Sequence, residues 1–290
     1  MSPSELRAAL ADVYRPDATS EPFDIWVEAR IDALPAELEG HEPEALLRWV
    51  HRMAIATYHA AMATGGGDKS ALQVLERVLE GRPAPKDAHG QFPIDLHSLL
   101  RRAEIACRSI GPEGRIVAVG DDDCATVALA VLGYRNLAVV DIDPDLLGFL
   151  QDAATGLGGQ LEVFEVDVLS EPLPSPLRQR ADVVLTDPIR SLEPCLQFLL
   201  FGKAALRPSG RLLWADHPDW NLEYAETLRA LRQAGLELLE LHENLHRYPL
   251  PTTLFTQLGQ HALPGVTGDE LERLARLVSG HSHLHVLGQT

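Results

Sequence analysis

The sequence has few cysteines and no long apolar run. Its three cysteines, Cys107, Cys124 and Cys195, stand far apart in a chain of 290 residues. This spacing excludes a disulfide scaffold and a cysteine zinc site, and it is typical of proteins in a reducing cytosol. No apolar run approaches the roughly 18 residues of a membrane helix, and no secretory signal follows Met1. We therefore expect a cytoplasmic protein with no membrane partner.

Positive charge is also scarce. The chain has 25 Lys and Arg residues against 42 Asp and Glu residues, a formal net charge of −17. A nonspecific nucleic-acid binder needs a basic surface, so we expect no nucleic-acid partner. The acidic balance suits a cationic substrate, although it is equally typical of ordinary soluble proteins. Apolar residues make up 46% of the chain, which is enough to build a sizeable core.

The pattern along the chain divides it into three parts. Residues 1–88 predict an N-terminal helical domain that supports the next domain or forms a homodimer interface. Residues 89–262 alternate short apolar runs with helical stretches, which predicts parallel strands joined by crossover helices. Residues 263–290 predict a C-terminal helix, over 268–279, and a tail.

Seven strands are expected in the second part. The last two have only a loop containing Pro249 between them, so they are expected to pair antiparallel at the sheet edge. The prediction is an α/β fold with a Rossmann-like, seven-stranded sheet that resembles the sheet of S-adenosylmethionine (AdoMet)-dependent transferases. The strands are expected at 115–119, 137–141, 161–166, 181–186, 210–215, 236–242 and 252–259.

Acidic residues follow four of these strands. Because ligands of an open parallel sheet bind beyond the carboxyl ends of its strands, these acids are candidate site residues. Carboxylates gathered at one edge repel each other unless a cation or hydrogen-bond donors accompany them. The four groups are Asp121-Asp122-Asp123, Asp141 with Asp143, Asp167, and Asp187.

The loop after the first strand lacks the G-x-G-x-x-G pattern of dinucleotide sites. Only Gly120 is present, and three aspartates follow it. Their negative charge opposes a pyrophosphate, so NAD and ATP are disfavoured. A cofactor with positive charge, such as a sulfonium with an amino tail, is favoured.

Two further acids are candidates for binding an adenosyl group. Asp141 ends the second strand 21 positions after Gly120, where an acid accepts hydrogen bonds from both ribose hydroxyls. Asp143 precedes Pro144 and is expected to be the N-cap of the next helix. Asp167 either accepts a hydrogen bond from the adenine amino group or is a solvated loop acid.

These motifs resemble the catalytic domain of branched-chain polyamine synthases, the bis(aminopropyl)spermidine synthases. The likeness rests on the GDDD loop at 120–123, the sequence V-D-I-D at 140–143 and Asp187-Pro188, and it covers about residues 90–260. The resemblance implies transfer of an aminopropyl group from decarboxylated AdoMet to a polyamine nitrogen. It also implies that Asp121, Asp122 and Asp123 hold the ammonium tail of the donor and the acceptor amine, and that Asp187 binds the acceptor. Asp122, Asp123 and Asp187 are therefore the catalytic candidates, and Gly120 and Asp121 are cofactor-binding candidates.

The sequence departs from that family in two places. Residues 1–88 show no winged helix, and Asp187-Pro188-Ile189-Arg190 replaces a D-P-P-aromatic motif. An Arg190 that points into the site would repel a polyamine and attract a carboxylate; otherwise it is a surface arginine. We therefore include Pro188 and Arg190 among the substrate-binding candidates, together with His217, which follows the fifth strand.

A histidine run near the C-terminus is the remaining candidate for chemistry. His281, His283 and His285 alternate, as metal ligands on a strand would, but a mobile tail is the favoured interpretation, so we predict no metal. His246 is expected in the loop before the last strand, as a wall of the acceptor pocket.

The sequence as a whole predicts a transferase that uses AdoMet or decarboxylated AdoMet as co-substrate. It would move a 3-aminopropyl or a 3-amino-3-carboxypropyl group to a small-molecule acceptor. A carboxylate on that acceptor would be the partner of Arg190. A methyltransferase on the same fold and a noncatalytic nucleoside-binding regulator are the alternatives.

Overall fold

The computed structural model describes residues 69–108, 110–218, 221, 223–249 and 279–289. Residues 66–246 and 282–290 form one compact unit. Residues 1–68 of the helical domain predicted at 1–88 lie outside the described residues. So do the strand predicted at 252–259 and residues 268–278 of the helix predicted at 268–279. The predicted division of the chain at residues 88 and 262 therefore stays a prediction.

A seven-stranded mixed sheet forms the centre of the described part. Its order is β3-β2-β1-β4-β5-β7-β6, and β1, β2, β3, β4 and β5 are parallel neighbours. This confirms the predicted α/β, Rossmann-like sheet. The strands are β1 Ile116–Val119, β2 Asn136–Asp141, β3 Gln160–Glu165, β4 Ala181–Thr186, β5 Leu206–Asp216, β6 Leu236–Pro249 and β7 Ser279–Gln289.

The central strands are continuous apolar runs in the sequence because both of their faces are buried. Every residue of β1 and β4 is buried, because helices cover both faces of a parallel sheet. The outer strand β3 alternates between buried and exposed positions at its start. The α-helices of the described part are α1 Lys69–Leu79, α2 Leu96–Cys107, α3 Ala125–Val131, α4 Pro144–Gly156, α5 Leu192–Ala205 and α6 Tyr224–Gln233.

Two helices start at aspartate caps, and the sequence predicts the second of them, at Asp143. The Asp95 carboxylate accepts a hydrogen bond from the Ser98 backbone N–H at 2.8 Å, at the start of α2. Asp143 accepts from the backbone N–H groups of Asp145 and Leu146 at the start of α4, with Pro144 in the first turn. The second cap also fixes where the chain leaves β2, which positions Asp141 at the strand end.

The C-terminal segment does not form the predicted tail. Residues 279–289 are β7, which pairs antiparallel with β5. His285 is buried and bridges two groups: its Nδ1 lies 3.1 Å from the Trp214 carbonyl oxygen and its Nε2 lies 2.6 Å from the Tyr224 hydroxyl. The alternating histidines predict a polar tail because their partners, Trp214 and Tyr224, lie far away in the sequence. Burial also lowers the pKa of His285 to about 4.

Strand β6 is also longer than predicted. It continues through His246, which we expected in a loop. The His246 ring is fully buried, and its Nδ1 lies 2.8 Å from the Ser282 hydroxyl of β7. The prediction that His246 lies in a loop was therefore wrong, because this residue belongs to strand β6.

Candidate functional site

A cavity of about 370 Å³ lies at the carboxyl ends of β1, β2 and β4. Its volume falls in the range of small-molecule binding sites. The sheet therefore gathers residues that are far apart in sequence at one edge, as expected for an open parallel sheet. Of the predicted site residues, the cavity lining includes Gly120, Asp122, Asp141, Asp167, Asp187, Pro188 and Arg190.

Gly120 makes the tight turn out of β1. Its φ is +70°, a conformation that favours glycine, and an added Cβ would lie 3.3 Å from the Phe198 ring. Its backbone N–H donates to the Val140 carbonyl at 2.8 Å. The loop after β1 is thereby held against the end of β2, and the backbone of Gly120 forms part of the cavity floor.

Asp141 connects the two loops that border the cavity. One oxygen accepts from the Asp121 backbone N–H and the other from the Asp143 backbone N–H, both at 2.9 Å. Burial raises the pKa of Asp141, and these hydrogen bonds oppose that rise. Since each carboxylate oxygen has further acceptor capacity, the side chain can also bind a ligand in the cavity.

The triple aspartate does not act as one cluster. Asp121 turns away from the cavity, and its carboxylate accepts from the backbone N–H groups of Ala125 and Thr126 and from the Thr126 hydroxyl. It thus caps the start of α3, and burial raises its pKa to about 7. The prediction that Asp121 binds cofactor is not supported by this placement, because the loop enters α3 through Cys124 and needs a capping acid there.

Asp123 is engaged in a buried ion pair. Its carboxylate lies 2.6 Å from an Arg102 guanidinium nitrogen, with side-chain exposures of 3% and 2%, and it also accepts from the Ile94 backbone N–H at 2.8 Å. It does not belong to the cavity lining. We predicted a catalytic Asp123; the structure instead places it where it joins α2 to the loop after β1.

Asp122 is the member of the triplet that reaches the cavity. One of its oxygens accepts from the Phe92 backbone N–H at 2.7 Å. Desolvation raises the pKa of Asp122 well above its usual range, and the nearby charges of Asp123 and Asp187 raise it further, while Arg82 opposes the rise. A carboxylate in this setting is a stronger base than an exposed one, and a bound cation would be stabilised beside it.

Arg190 lies between two acids that follow neighbouring strands. Its Nη2 is 3.2 Å from Oδ1 of Asp187 after β4, and its Nε is 3.9 Å from Oδ1 of Asp216 at the end of β5. Arg190 therefore reaches into the site. Burial raises the pKa of Asp216 to about 6, opposed by hydrogen bonds from the Asn221 amide and the His217 backbone N–H.

His217 and Asp167 differ in their relation to the cavity. The His217 ring does not line it; it packs against His283 of β7, with ring centroids 4.3 Å apart. Asp167 does line it, while its carboxylate accepts from the Leu169 backbone N–H at 3.0 Å and the Ser170 hydroxyl at 2.7 Å. The predicted role of His217 as a substrate ligand gains no support from this position.

Sequence reasoning missed the segment at 86–92, which we call the strap. Its residues from Ala88 to Phe92 line the cavity. Lys86 Nζ lies 2.6 Å from Asp143 and 2.7 Å from Asp145, and the Gln91 amide donates to Asp143 at 2.9 Å. The strap is thus tied to the first turn of α4. The sequence of this segment has no helical or alternating pattern, and its contacts to Asp122, Asp143 and Asp145 join it to residues far along the chain.

Apolar side chains complete the rim of the cavity. Ile142, Leu169 and Ile189 all line it, and each is more than 40% exposed. Exposed apolar residues grouped around a cavity are typical of a binding surface for a flat apolar group. The sequence offers a weak signal for them, since each stands one or two positions after a strand-end acid.

Within the described ranges, no three His, Cys, Asp or Glu side chains are placed to hold a metal ion. Among the helices of the same residues, none has the length and apolarity to cross a membrane.

The sheet order and the cavity at its carboxyl edge define the class of AdoMet-dependent transferase folds. A solved branched-chain polyamine synthase from Thermus thermophilus has this fold, with a TM-score of 0.62 at 23% identity, covering 76% of this chain and 63% of that one. The chain belongs to the branched-chain polyamine synthase family: residues 70–262 match the branched-chain polyamine synthase A C-terminal domain. This confirms the resemblance read from the GDDD loop.

Two curated relatives are N(4)-bis(aminopropyl)spermidine synthases. The protein from Thermococcus kodakarensis is 31% identical over 142 residues, which are 48% of this chain and 40% of that protein. The protein from Thermus thermophilus is 29% identical over 250 residues, 78% of this chain and 73% of that protein. The chain therefore aligns with less than half of the first relative and about three quarters of the second.

Proposed function

We propose that this protein transfers an aminopropyl group from decarboxylated AdoMet to the amine nitrogen of a small molecule. The observation that carries the proposal is the grouping of three carboxylates in one cavity: Asp122, which is half-buried and whose pKa is raised by burial, with Asp141 and Asp187. One end of the cavity suits a nucleoside, and the other suits a cationic amine.

Asp141 and the apolar rim are the proposed nucleoside-binding part. Asp141 would accept hydrogen bonds from the two ribose hydroxyls, since its two oxygens match a vicinal diol. Ile142 and Leu169 would pack against the adenine ring, and Asp167 would accept from its amino group. Gly120 lines the cavity, and glycine is required at this turn because its φ is positive and a side chain there would meet Phe198.

Asp122 and Asp187 are the proposed amine-binding part. In the reaction, the nitrogen lone pair attacks the aminopropyl carbon bonded to sulfur. The carbon–sulfur bond breaks, its electron pair stays on sulfur, and the neutral thioether 5′-methylthioadenosine leaves. Asp122 would accept the proton that the amine loses, and its raised pKa suits this role. Positioning the amine in line with the carbon–sulfur bond supplies much of the remaining rate enhancement.

The relatives support the reaction class. Both curated relatives have names that state aminopropyl transfer, and the solved Thermus thermophilus structure holds N4-aminopropylspermidine and 5′-methylthioadenosine. Those ligands are a product and a thioether by-product of the proposed chemistry. We carry the reaction class over to this chain and treat the acceptor as a separate question.

Three alternatives use the same cavity. Transfer of a 3-amino-3-carboxypropyl group would need a cation for the donor carboxylate, and Arg190 is a cation in the lining. Methyl transfer would need the opposite orientation of the sulfonium. In a noncatalytic nucleoside-binding regulator, Asp122 would contribute to ligand affinity only.

The test measures the nucleoside by-product of each donor. With decarboxylated AdoMet, we expect 5′-methylthioadenosine release that depends on added amine and on Asp122. D122N should lose most of this activity, whereas D152N, which changes an exposed acid on α4, should keep it. Formation of S-adenosylhomocysteine from AdoMet, or amine-independent release, would contradict the proposal.

A further inference from the structure

The surroundings of Arg190 bear on which amine the site accepts. Asp187 and Asp216 follow the adjacent strands β4 and β5, and their side chains are 9% and 1% exposed. Two such acids would form a niche for the ammonium group of a substrate. Arg190 instead supplies a positive charge that belongs to the protein, at 3.2 Å and 3.9 Å from the two carboxylates.

The Arg190 side chain is 26% exposed and lines the cavity. Its charge is therefore partly desolvated and acts on anything bound there more strongly than it would in water. Because the guanidinium already pairs with Asp187 and Asp216, a second ammonium group on the acceptor would have to compete with it for these acids, while a carboxylate would accept hydrogen bonds from it. The planar guanidinium is also suited in shape to a carboxylate, which it can bind through two parallel hydrogen bonds.

We propose that Arg190 determines acceptor specificity by selecting amines that carry a carboxylate and rejecting polycationic ones. This inference rests on the proposed function, because it assigns the acceptor class of the same cavity. Asp122 would still receive the amine, and Arg190 would bind the acceptor's carboxylate from the β5 side of Asp187.

Matched pairs of amines that differ by one carboxylate provide the test. Ornithine is compared with putrescine, and lysine with cadaverine. Calorimetry on the protein saturated with 5′-methylthioadenosine gives the ratio of dissociation constants within each pair, and kcat/KM with decarboxylated AdoMet gives the same ratio in turnover. The variant is R190M, which removes the charge and keeps an unbranched side chain.

The control is R207M. Arg207 also forms an ion pair with an aspartate, Asp182 in β4, but at the other end of that strand. We expect wild type and R207M to prefer the carboxylated member of each pair. R190M should shift the ratio toward the diamine by at least about tenfold, as for a partly buried charge pair. Spermidine should also bind R190M more tightly than wild type.

Two results would overturn the inference. One is an unchanged ratio within each pair in R190M. The other is that R190M changes the affinity for S-adenosylhomocysteine relative to that for 5′-methylthioadenosine but leaves the acceptor ratio unaltered. That result would mean that Arg190 binds the carboxylate of the donor. If wild type turns over no amine with either donor, the proposed function fails, while the binding ratios still decide the role of Arg190.

Discussion

The substitution D141N tests the proposed nucleoside end of the cavity. Asparagine keeps the size of the side chain and one oxygen acceptor, so one of the two backbone N–H groups of Asp121 and Asp143 loses its acceptor, whereas alanine would leave both without one. The substitution therefore removes the negative charge and one acceptor oxygen with little change in packing. A hydrogen bond to a charged group contributes about 1.5–3 kcal/mol, more than a neutral one.

That loss predicts a binding change of known size. If a charged hydrogen bond from the ribose is lost, 5′-methylthioadenosine should bind D141N roughly 10- to 150-fold more weakly than wild type. Isothermal titration calorimetry measures the change directly. D152N, on the exposed face of α4, is the matched acid-to-amide control and should bind like wild type.

A modified ligand separates direct contact from loop distortion. 5′-Methylthio-2′-deoxyadenosine lacks one ribose hydroxyl, so it should bind wild type more weakly than the parent compound. In D141N the penalty for the missing hydroxyl should shrink, because the partner of that hydroxyl has changed. Unchanged affinity of D141N, or an unchanged deoxy penalty, would refute the assignment of Asp141 to the ribose.

Three further predictions concern buried charges and the strap. Asp216 has its pKa raised to about 6 in the folded protein, so its proton is held more tightly there than in the unfolded chain. The free energy of unfolding of wild type, relative to that of D216N, should therefore fall by up to about 3 kcal/mol as pH rises from about 4 to about 6. Urea unfolding across this range measures the change, and a rise with pH would contradict the prediction. R102M should destabilise the protein by about 3–5 kcal/mol, because Asp123 stays buried without its partner, and R102M/D123N should recover part of that loss in thermal unfolding. K86M should release 5′-methylthioadenosine about two- to fivefold faster in stopped-flow measurements, since it weakens the attachment of the strap to α4; an unchanged off-rate would show that the strap does not retain the ligand.

Local patterns in the sequence were sufficient to predict the parallel half of the sheet. Strands β1, β2 and β4 are buried on both faces, so their apolar runs are continuous. β1 ends just before Gly120, β2 ends at Asp141, and β4 ends just before Asp187. The cap at Asp143 follows from the Pro beside it. Each of these signals lies within a few residues of the feature that it predicts.

Features that depend on distant residues could not be predicted in this way. β7 contains histidines whose partners, such as the Trp214 carbonyl, lie about 70 positions away. The strap is held by Asp143 and Asp145 of α4 across a separation of more than 50 residues. The opposite orientations of Asp121 and Asp122 depend on the turn into α3, which consecutive aspartates in the sequence do not reveal.

The mass of the transferred group tests the central claim most directly. Wild type and a mixture of amines with and without carboxylates are incubated with decarboxylated AdoMet and, in a parallel reaction, with AdoMet, and the products of both are analysed by high-resolution mass spectrometry. The account predicts a product heavier than its amine by C3H7N, formed in equal amount with 5′-methylthioadenosine. A gain of CH2 from AdoMet would identify a methyltransferase, a gain of C4H7NO2 an aminocarboxypropyl transferase, and either result without a C3H7N product would contradict the account.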